Sequence, residues 1–366
     1  MKKIITFILT LIMAAMLFVA CDFNEKSEAI AKTDFYFDTI ISITVYDEED
    51  AKVIDDCFDI CKTYEELLSR TIESSDVSRV NSSTEPVEVD EKTAEVINAA
   101  LSYCEESNGV FDISIYPLTK LWNITSENPK VPEKNAIEYA KSLVDYKIVS
   151  VDGNTVSIDR TAENLSDVAN AESSANASDS SNETSTADNG NITAGIDLGG
   201  IAKGFIADKL KEYLLSNGVE SAIITLGGNV LLVGEKPDGS DFNVGVQKPF
   251  GQSGEAVCYI KAKDKSIVTS GIYERYFEEE GKLYHHILDT KTGYPVDNEL
   301  ASVTIISDSS TDGDAYSTTL LSMGLEKAKT FLKTLDGIEA VFITKDGEII
   351  LTDGLKIDSE NVIMIK

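Results

Sequence analysis

Apolar residues recur along this chain with two distinct periods. "FYFDTIISITVYD" (35 to 47) alternates as a strand, whereas "AKVIDDCFDICKTYEELLS" (51 to 69) and "EKTAEVINAALSYCEES" (91 to 107) repeat with the helical period. "YKIVSVDGNTVSID" reads as a hairpin turning at Asp-Gly. In "GGIAKGFIADKLKEYLLSNG" the residues Ile201, Phe205, Ile206, Leu210 and Leu214 fall on one helix side, and Asn217-Gly218 supplies the stop. Strands are predicted at about 221–226, 229–234, 242–247, 256–262 and 301–307, then helices near 312–323 and 325–335, then the closing strands "EAVFIT" and "GEIILT". Long helices beside short, turn-linked strands predict an α+β fold with mixed, largely antiparallel sheets flanked by helices. No internal repeat is evident.

Two stretches break the pattern. "MKKIITFILTLIMAAMLFVAC" places two lysines before an apolar run and small residues before a cysteine, the order of an export signal. "LFVAC" resembles a bacterial lipobox, so residues 1–20 are expected to be a signal peptide. Cys21 is then the lipidated residue of a protein anchored to the cell membrane and facing the outside or the periplasm, with 21–33 a flexible tether. No second long apolar run follows. The other break, 161–194, is rich in Ser, Asn, Ala and Thr and has almost nothing to bury, which predicts a disordered insertion within one domain spanning 34–366.

Charge narrows the partners. A formal charge of -31 disfavours nucleic acid and anionic membrane surfaces as ligands. An anionic ligand would need a metal ion or a focused positive site. Cys57, Cys61, Cys104 and Cys258 lack metal-ligand spacing, and Cys57 and Cys61, four apart on a helix, read as buried thiols of a core face.

Three places could carry chemistry. "GIDLGGIAKG" (195 to 204) is a glycine-rich turn opening onto a helix, where backbone amides and Lys203 favour an anion, although such a turn also serves as plain geometry. In "TDGDAYSTTLLSMG", Asp314 and Thr318 share one helix face and offer the hard oxygens that suit Mg²⁺; the alternative is a dipole-complementing acid and a core threonine. The only histidines, His285 and His286, are adjacent on an expected strand and so point to opposite faces. Joint chelation is disfavoured, while one general base or simple packing both stay open.

Seven stretches, in order, resemble the ApbE family of FAD:protein FMN transferases: "FDTIISITVYD", "LLSRTIESSDVSRVN", "GVFDISIYPLTKLWN", "IDLGGIAKGFIADKLKEYL", "AIITLGGNVLLVG", "VTSGIYERYFEEEGKLYHHILDTKTGYPV" and "DGDAYSTTLLSMG". They cover about 35 to 350. The resemblance implies an ApbE-like fold and a Mg²⁺-dependent enzyme that splits FAD, passes FMN to a Thr or Ser hydroxyl of an exported acceptor protein, and releases AMP. Members of the family are themselves exported, often as lipoproteins.

Carried over by position, the resemblance implies metal ligation by Asp314, Thr318 and the Gly200 backbone oxygen. The position where some members have a further aspartate is Thr311 here. FAD contacts are implied at Phe37, Thr71, Val110, Phe111, Asp112, Asp197, Lys203 and the Ile287 backbone, with Thr71 where some members have tyrosine. His286 takes the place of the proposed general base, and His285 is expected to be an outward neighbour with no role. Two other readings compete: a Mg²⁺-dependent FAD pyrophosphatase giving FMN and AMP, and a lipoprotein that only binds FAD.

Overall fold

The computed structural model describes residues 29–160, 192–252 and 254–366. The expected signal peptide, Cys21 and residues 161–191 of the insertion lie outside the described residues. Among the described residues two compact units emerge, the first falling within Met1–Lys62, Lys203–Gly271 and Glu299–Lys366, the second within Thr63–Ala202 and Ile272–Asn298. Both residues that flank the undescribed stretch, Arg160 and Ile192, belong to the second unit. The architecture is α+β.

The first unit begins with a hairpin, β1 (Ile30–Tyr36) and β2 (Thr39–Val45), where one strand was expected. Phe37 and Asp38, with φ of 54° and 55°, form its two-residue turn. Such a turn usually announces itself by Asn-Gly or Asp-Gly, and here it does not. β1 also begins inside the stretch read as tether, because Ile30 to Tyr36 pair in register with Val45 to Thr39.

The remaining strands of this unit are β6 (Ala222–Leu226), β7 (Asn229–Val233), β8 (Phe242–Gln247), β9 (Ala256–Ala262), β10 (Ser266–Gly271), β13 (Leu300–Ser307), β14 (Glu339–Thr344), β15 (Ile349–Leu351), β16 (Leu355–Ile357) and β17 (Val362–Ile365). Six of these join β1 and β2 in a fully antiparallel eight-stranded sheet, ordered β1-β2-β6-β7-β10-β13-β14-β15. A four-stranded sheet, β16-β17-β9-β8, pairs β17 parallel to β9. Leu232, Phe242, Ile260, Ile267, Ile306, Val341 and Ile343 are buried together in one core cluster.

Three helices complete the unit's described part beyond the shared helix α1 (Ile54–Leu68): α6 (Ala202–Ser216), α7 (Ser310–Met323) and α8 (Leu325–Leu332). All eight residues of β13 are buried, since helix α7 packs on this strand too. Gly313 lets the same helix approach the neighbouring strand β10: a Cβ there would lie 2.6 Å from Val268 Cγ2. Ile201, Phe205, Ile206, Leu210 and Leu214 are all buried, as their spacing predicts. Cys57, Cys61, Cys104 and Cys258 are free and buried, and burial pushes the Cys57 and Cys104 thiols up to about 12, which keeps them protonated and inert.

The second unit holds α2 (Asp76–Ser82), β3 (Val87–Glu88), α3 (Glu91–Glu106), α4 (Tyr116–Trp122), α5 (Lys134–Ser142), β4 (Val149–Asp152), β5 (Thr155–Ile158), β11 (Tyr276–Glu279) and β12 (Lys282–His285). β4 and β5 form the Asp-Gly hairpin, with Gly153 at φ 58°. Trp122, Leu118, Ile137 and Leu288 form a core cluster, and Trp122 Nε1 donates to the Gly293 carbonyl at 2.8 Å. Residues 192–194, assigned to the disordered insertion, are packed instead. Ile192 lies against this cluster, Ala194 is buried, and the Arg160 guanidinium holds the Ala194 carbonyl at 3.0 Å. An apolar isoleucine at the end of a polar tract has a core to join. Among the described residues, no helix is long and apolar enough to cross a membrane.

Candidate active site

In the first unit the chemistry gathers where helices α6 and α7 meet. Asp314 is 3% exposed. Its Oδ2 accepts the Gly204 backbone N–H at 2.9 Å, and its Oδ1 faces Lys203 Nζ at 3.4 Å. Thr318, one turn further along α7, shares a hydrogen bond of 3.2 Å with the Ser270 hydroxyl, which also reaches Ser317 at 2.8 Å. A buried carboxylate with one oxygen met only by a long ammonium contact, and a hydroxyl on the same helix face, form a hard-oxygen pair that fits Mg²⁺. Among the described residues, no three His, Cys, Asp or Glu side chains gather as a metal site, so side-chain oxygen from Thr318 and backbone oxygen would have to complete the shell.

The two helices are clasped by residues that sequence patterning does not reveal. Asp208, on α6, accepts from the Ser310 backbone N–H at 2.7 Å, the Thr311 N–H at 2.9 Å, the Thr311 hydroxyl at 2.6 Å and the Ser309 hydroxyl at 2.8 Å. It thereby caps the start of α7 from a neighbouring helix, placing a carboxylate at the positive helix end. Thr311, the position where some members of the family have an aspartate, spends its hydroxyl on this clasp. Gly204 is required by the same contact: a Cβ there would run into the Ser310 carbonyl oxygen and lie 2.8 Å from Asp314 Cβ. Phe37 sits in the β1–β2 turn, half-buried at positive φ, which is strained backbone for a bulky side chain.

In the second unit the turn 196–200 is pinned on every side. The Asn81 side chain pairs with both backbone groups of Ile196, donating to its carbonyl at 2.9 Å and accepting its N–H at 2.7 Å. Asp197 donates its own N–H to the Ile113 carbonyl at 2.7 Å. Its carboxylate accepts from Gly199 N–H at 2.9 Å and Thr119 hydroxyl at 2.9 Å, and meets Arg70 Nε at 3.3 Å. Gly200 packs against Phe111, where a Cβ would come within 3.0 Å of the ring. The structure therefore brings Gly200, Phe111 and Asp197 together.

Asp112 is buried and works locally. It accepts from the Ser114 N–H at 2.7 Å, the Ser114 hydroxyl at 2.6 Å and the Tyr146 N–H at 3.1 Å. Burial raises its pKa above the usual carboxylate range, opposed in part by the Ser114 and Tyr146 donors. Val110 is half-buried in the turn before it, and the Thr290 hydroxyl donates to the Gly109 carbonyl at 3.0 Å. Thr71 is exposed and its hydroxyl lies 3.1 Å from that of Ser69.

The histidines reverse part of the expectation. His285 ends β12 and is the buried one, 3% exposed, whereas the sequence reading had it outward. Its Nε2 donates to the Val296 carbonyl at 2.9 Å and its Nδ1 accepts the Ile287 N–H at 3.3 Å, so the neutral ring is engaged at both nitrogens. The Ile287 carbonyl accepts from Val296 N–H at 2.9 Å, which commits the Ile287 backbone to the same loop. His286 follows the strand in a bend and is half-buried. Its Nδ1 lies 3.3 Å from the Arg275 carbonyl, which also accepts the His286 N–H at 3.1 Å. Since a carbonyl can only accept, Nδ1 carries the proton, and the basic lone pair of the neutral ring sits on Nε2.

Comparison with known proteins gives a consistent picture. The ApbE family pattern matches residues 37–342. The chain is 35% identical over 297 residues to the FAD:protein FMN transferase of Klebsiella pneumoniae (strain 342), spanning 81% of this chain and 83% of that protein. It is 28% identical over 350 residues to the FAD:protein FMN transferase of Treponema pallidum (strain Nichols), spanning 92% and 90%. Among solved structures, the ApbE protein from Thermotoga maritima superposes with a TM-score of 0.75 at 31% identity, over 89% of this chain and 97% of that one. The apo flavinyl transferase ApbE of Pseudomonas stutzeri, at 24% identity and a TM-score of 0.71 over 90% and 95%, supports the fold.

Proposed function

The chain belongs to the ApbE family, and from that premise we propose that it is an FAD:protein FMN transferase acting on a Thr or Ser hydroxyl of an exported acceptor protein. In this reading the acceptor oxygen forms a bond to the phosphorus of the FMN half, the P–O bond of the pyrophosphate breaks, and AMP leaves with the bridging oxygen. The hydroxyl proton passes to His286 Nε2, the nitrogen left basic by the Nδ1 contact with the Arg275 carbonyl.

The observation that carries the reading is the buried Asp314 carboxylate, held by Gly204 N–H and Lys203, on the same helix face as the Thr318 hydroxyl. Asp314 and Thr318 would hold Mg²⁺. When bound, the ion neutralises pyrophosphate charge that an acidic chain otherwise repels. Lys203 supplies a further cation, and Asp208 keeps the first turn of α7 fixed to α6. The N-terminal pattern supports export with a lipid anchor on Cys21, and in this reading the enzyme works on the membrane face where exported acceptors pass.

Nucleotide analysis tests the proposal. The full chain is incubated with FAD and Mg²⁺, with and without a candidate acceptor. AMP appearing only with acceptor, and without matching free FMN, is the expected result. Equal FMN release without acceptor would instead make the chain a pyrophosphatase, and intact FAD in both arms would leave a binder.

A further inference from the structure

A chain with a formal charge of -31 has few cations to meet an anionic substrate, and only four of them are arginines: Arg70, Arg79, Arg160 and Arg275. All four fall in the second unit. Arg79 is consumed by the Asp76 carboxylate and the Glu88 carbonyl, each at 2.6 Å. Arg160 is consumed by the carbonyls of Val80, Asn81 and Ala194. Arg275 is exposed, and no side-chain partner fixes it among the described residues.

Arg70 differs from all three. Its side chain is 35% exposed, and its one polar partner among the described residues is Asp197, which meets the Nε edge at 3.3 Å. Both Nη groups are left with donors to offer. The anchor itself is rigid, because Asp197 is held by Gly199, Thr119 and Ile113. A guanidinium steadied along one edge by a fixed carboxylate loses little freedom on binding, and its remaining fork matches phosphate oxygens. The Asp197 charge is shared among three donors, which lessens its repulsion of a nearby anion. The turn that Arg70 is tied to carries Gly199 and Gly200, and the missing side chain of Gly199 makes room for the Asp197 carboxylate that steadies Arg70.

We infer that Arg70 binds a phosphate of the flavin dinucleotide through its Nη groups, with Asp197 as the residue that orients it. This inference rests on the flavin reading above. It makes Arg70 a binding residue that the sequence resemblance does not assign.

The test is a set of metal-free titrations by flavin fluorescence, with FAD, FMN and the phosphate-free probe riboflavin. Native chain, Arg70→Gln and Arg70→Lys are compared. Arg70→Gln should weaken FAD and FMN roughly ten- to a hundredfold, the scale of one charge-assisted pair. Riboflavin affinity should stay within a factor of about two, which also serves as the folding control. Arg70→Lys should recover part of the loss, and the salt dependence of FAD binding should fall in Arg70→Gln. Native FAD affinity in Arg70→Gln would overturn the inference, as would an equal loss for riboflavin, which would point to stacking or to a structural role. A native chain that binds no FAD either in the metal-free titration or with Mg²⁺ added would overturn the flavin reading itself.

Discussion

Replacing Asp208 with alanine should loosen the start of helix α7 without touching any group proposed to meet substrate. The substitution removes four accepted hydrogen bonds from Ser309, Ser310 and Thr311, two of them from backbone N–H groups at a helix end. Ser310 and Thr311 are buried, so water replaces the lost acceptor poorly. Each buried donor left without a partner costs about 1–3 kcal/mol, and the Ser309 hydroxyl still caps Asp312 N–H at 3.3 Å, so the combined loss is roughly 3 kcal/mol. At 1.4 kcal/mol per factor of ten, local opening should become on the order of a hundredfold more frequent. Hydrogen–deuterium exchange of the peptide 309–323, followed by mass spectrometry, reads this directly. Asp208→Asn, which keeps one acceptor oxygen, should fall between the two. Because α7 carries Asp314 and Thr318, Mg²⁺-dependent turnover should decline in the same order. Exchange in 309–323 equal to that of the native chain would refute the clasp, whatever happened to activity.

The two histidines should separate cleanly. His286→Ala should slow FMN transfer by roughly 10²- to 10⁴-fold while FAD affinity holds, and unchanged transfer would remove it as the base. His285→Ala should lower stability by about 1–3 kcal/mol, measured by urea unfolding, because the Val296 carbonyl and Ile287 N–H lose their partner. Asp112 has its pKa raised by burial, so its protonated form is favoured in the folded state. The stability it contributes is present at pH below the usual carboxylate range and is lost as pH rises through the elevated folded value. The stability of the native chain relative to Asp112→Asn should therefore fall on going from about pH 4 to pH 7, and a flat difference would contradict the burial argument. Replacing 161–191 with a short Gly-Ser linker should leave melting temperature and turnover near native, since Arg160 ties the flanking residue Ala194 to Val80 and Asn81. A collapse in either would show that the insertion contributes directly.

What could be read from the sequence followed from how locally each feature is encoded. β8 and β9 stand where alternation places them, because each turns one face to a shared core and the other outward. β10 escapes notice since Ser266, Thr269 and Ser270 interrupt its apolar run, although the strand is hydrogen-bonded to β7 and β13 on both sides. The Phe37-Asp38 turn was equally hidden, as neither residue signals positive φ. Asp314 and Thr318 were legible because four-residue spacing on a helix fixes a common face. Asp208 was not, because its partners lie more than a hundred residues away in sequence. Strand parity argues against the histidines sharing an ion, yet parity cannot say which side is inside. That was decided by the fold, which put the Val296 carbonyl within reach of His285 and the Arg275 carbonyl beside His286.

The central claim is that this chain moves FMN onto a protein hydroxyl. Tandem mass spectrometry of an exported acceptor, after reaction with FAD and Mg²⁺, tests it most directly. The account predicts FMN attached as a phosphodiester to one Thr or Ser, formed by the native chain and lost with Asp314→Ala. An acceptor that stays unmodified while FAD is consumed, or an adduct that forms equally with Asp314→Ala, would contradict it.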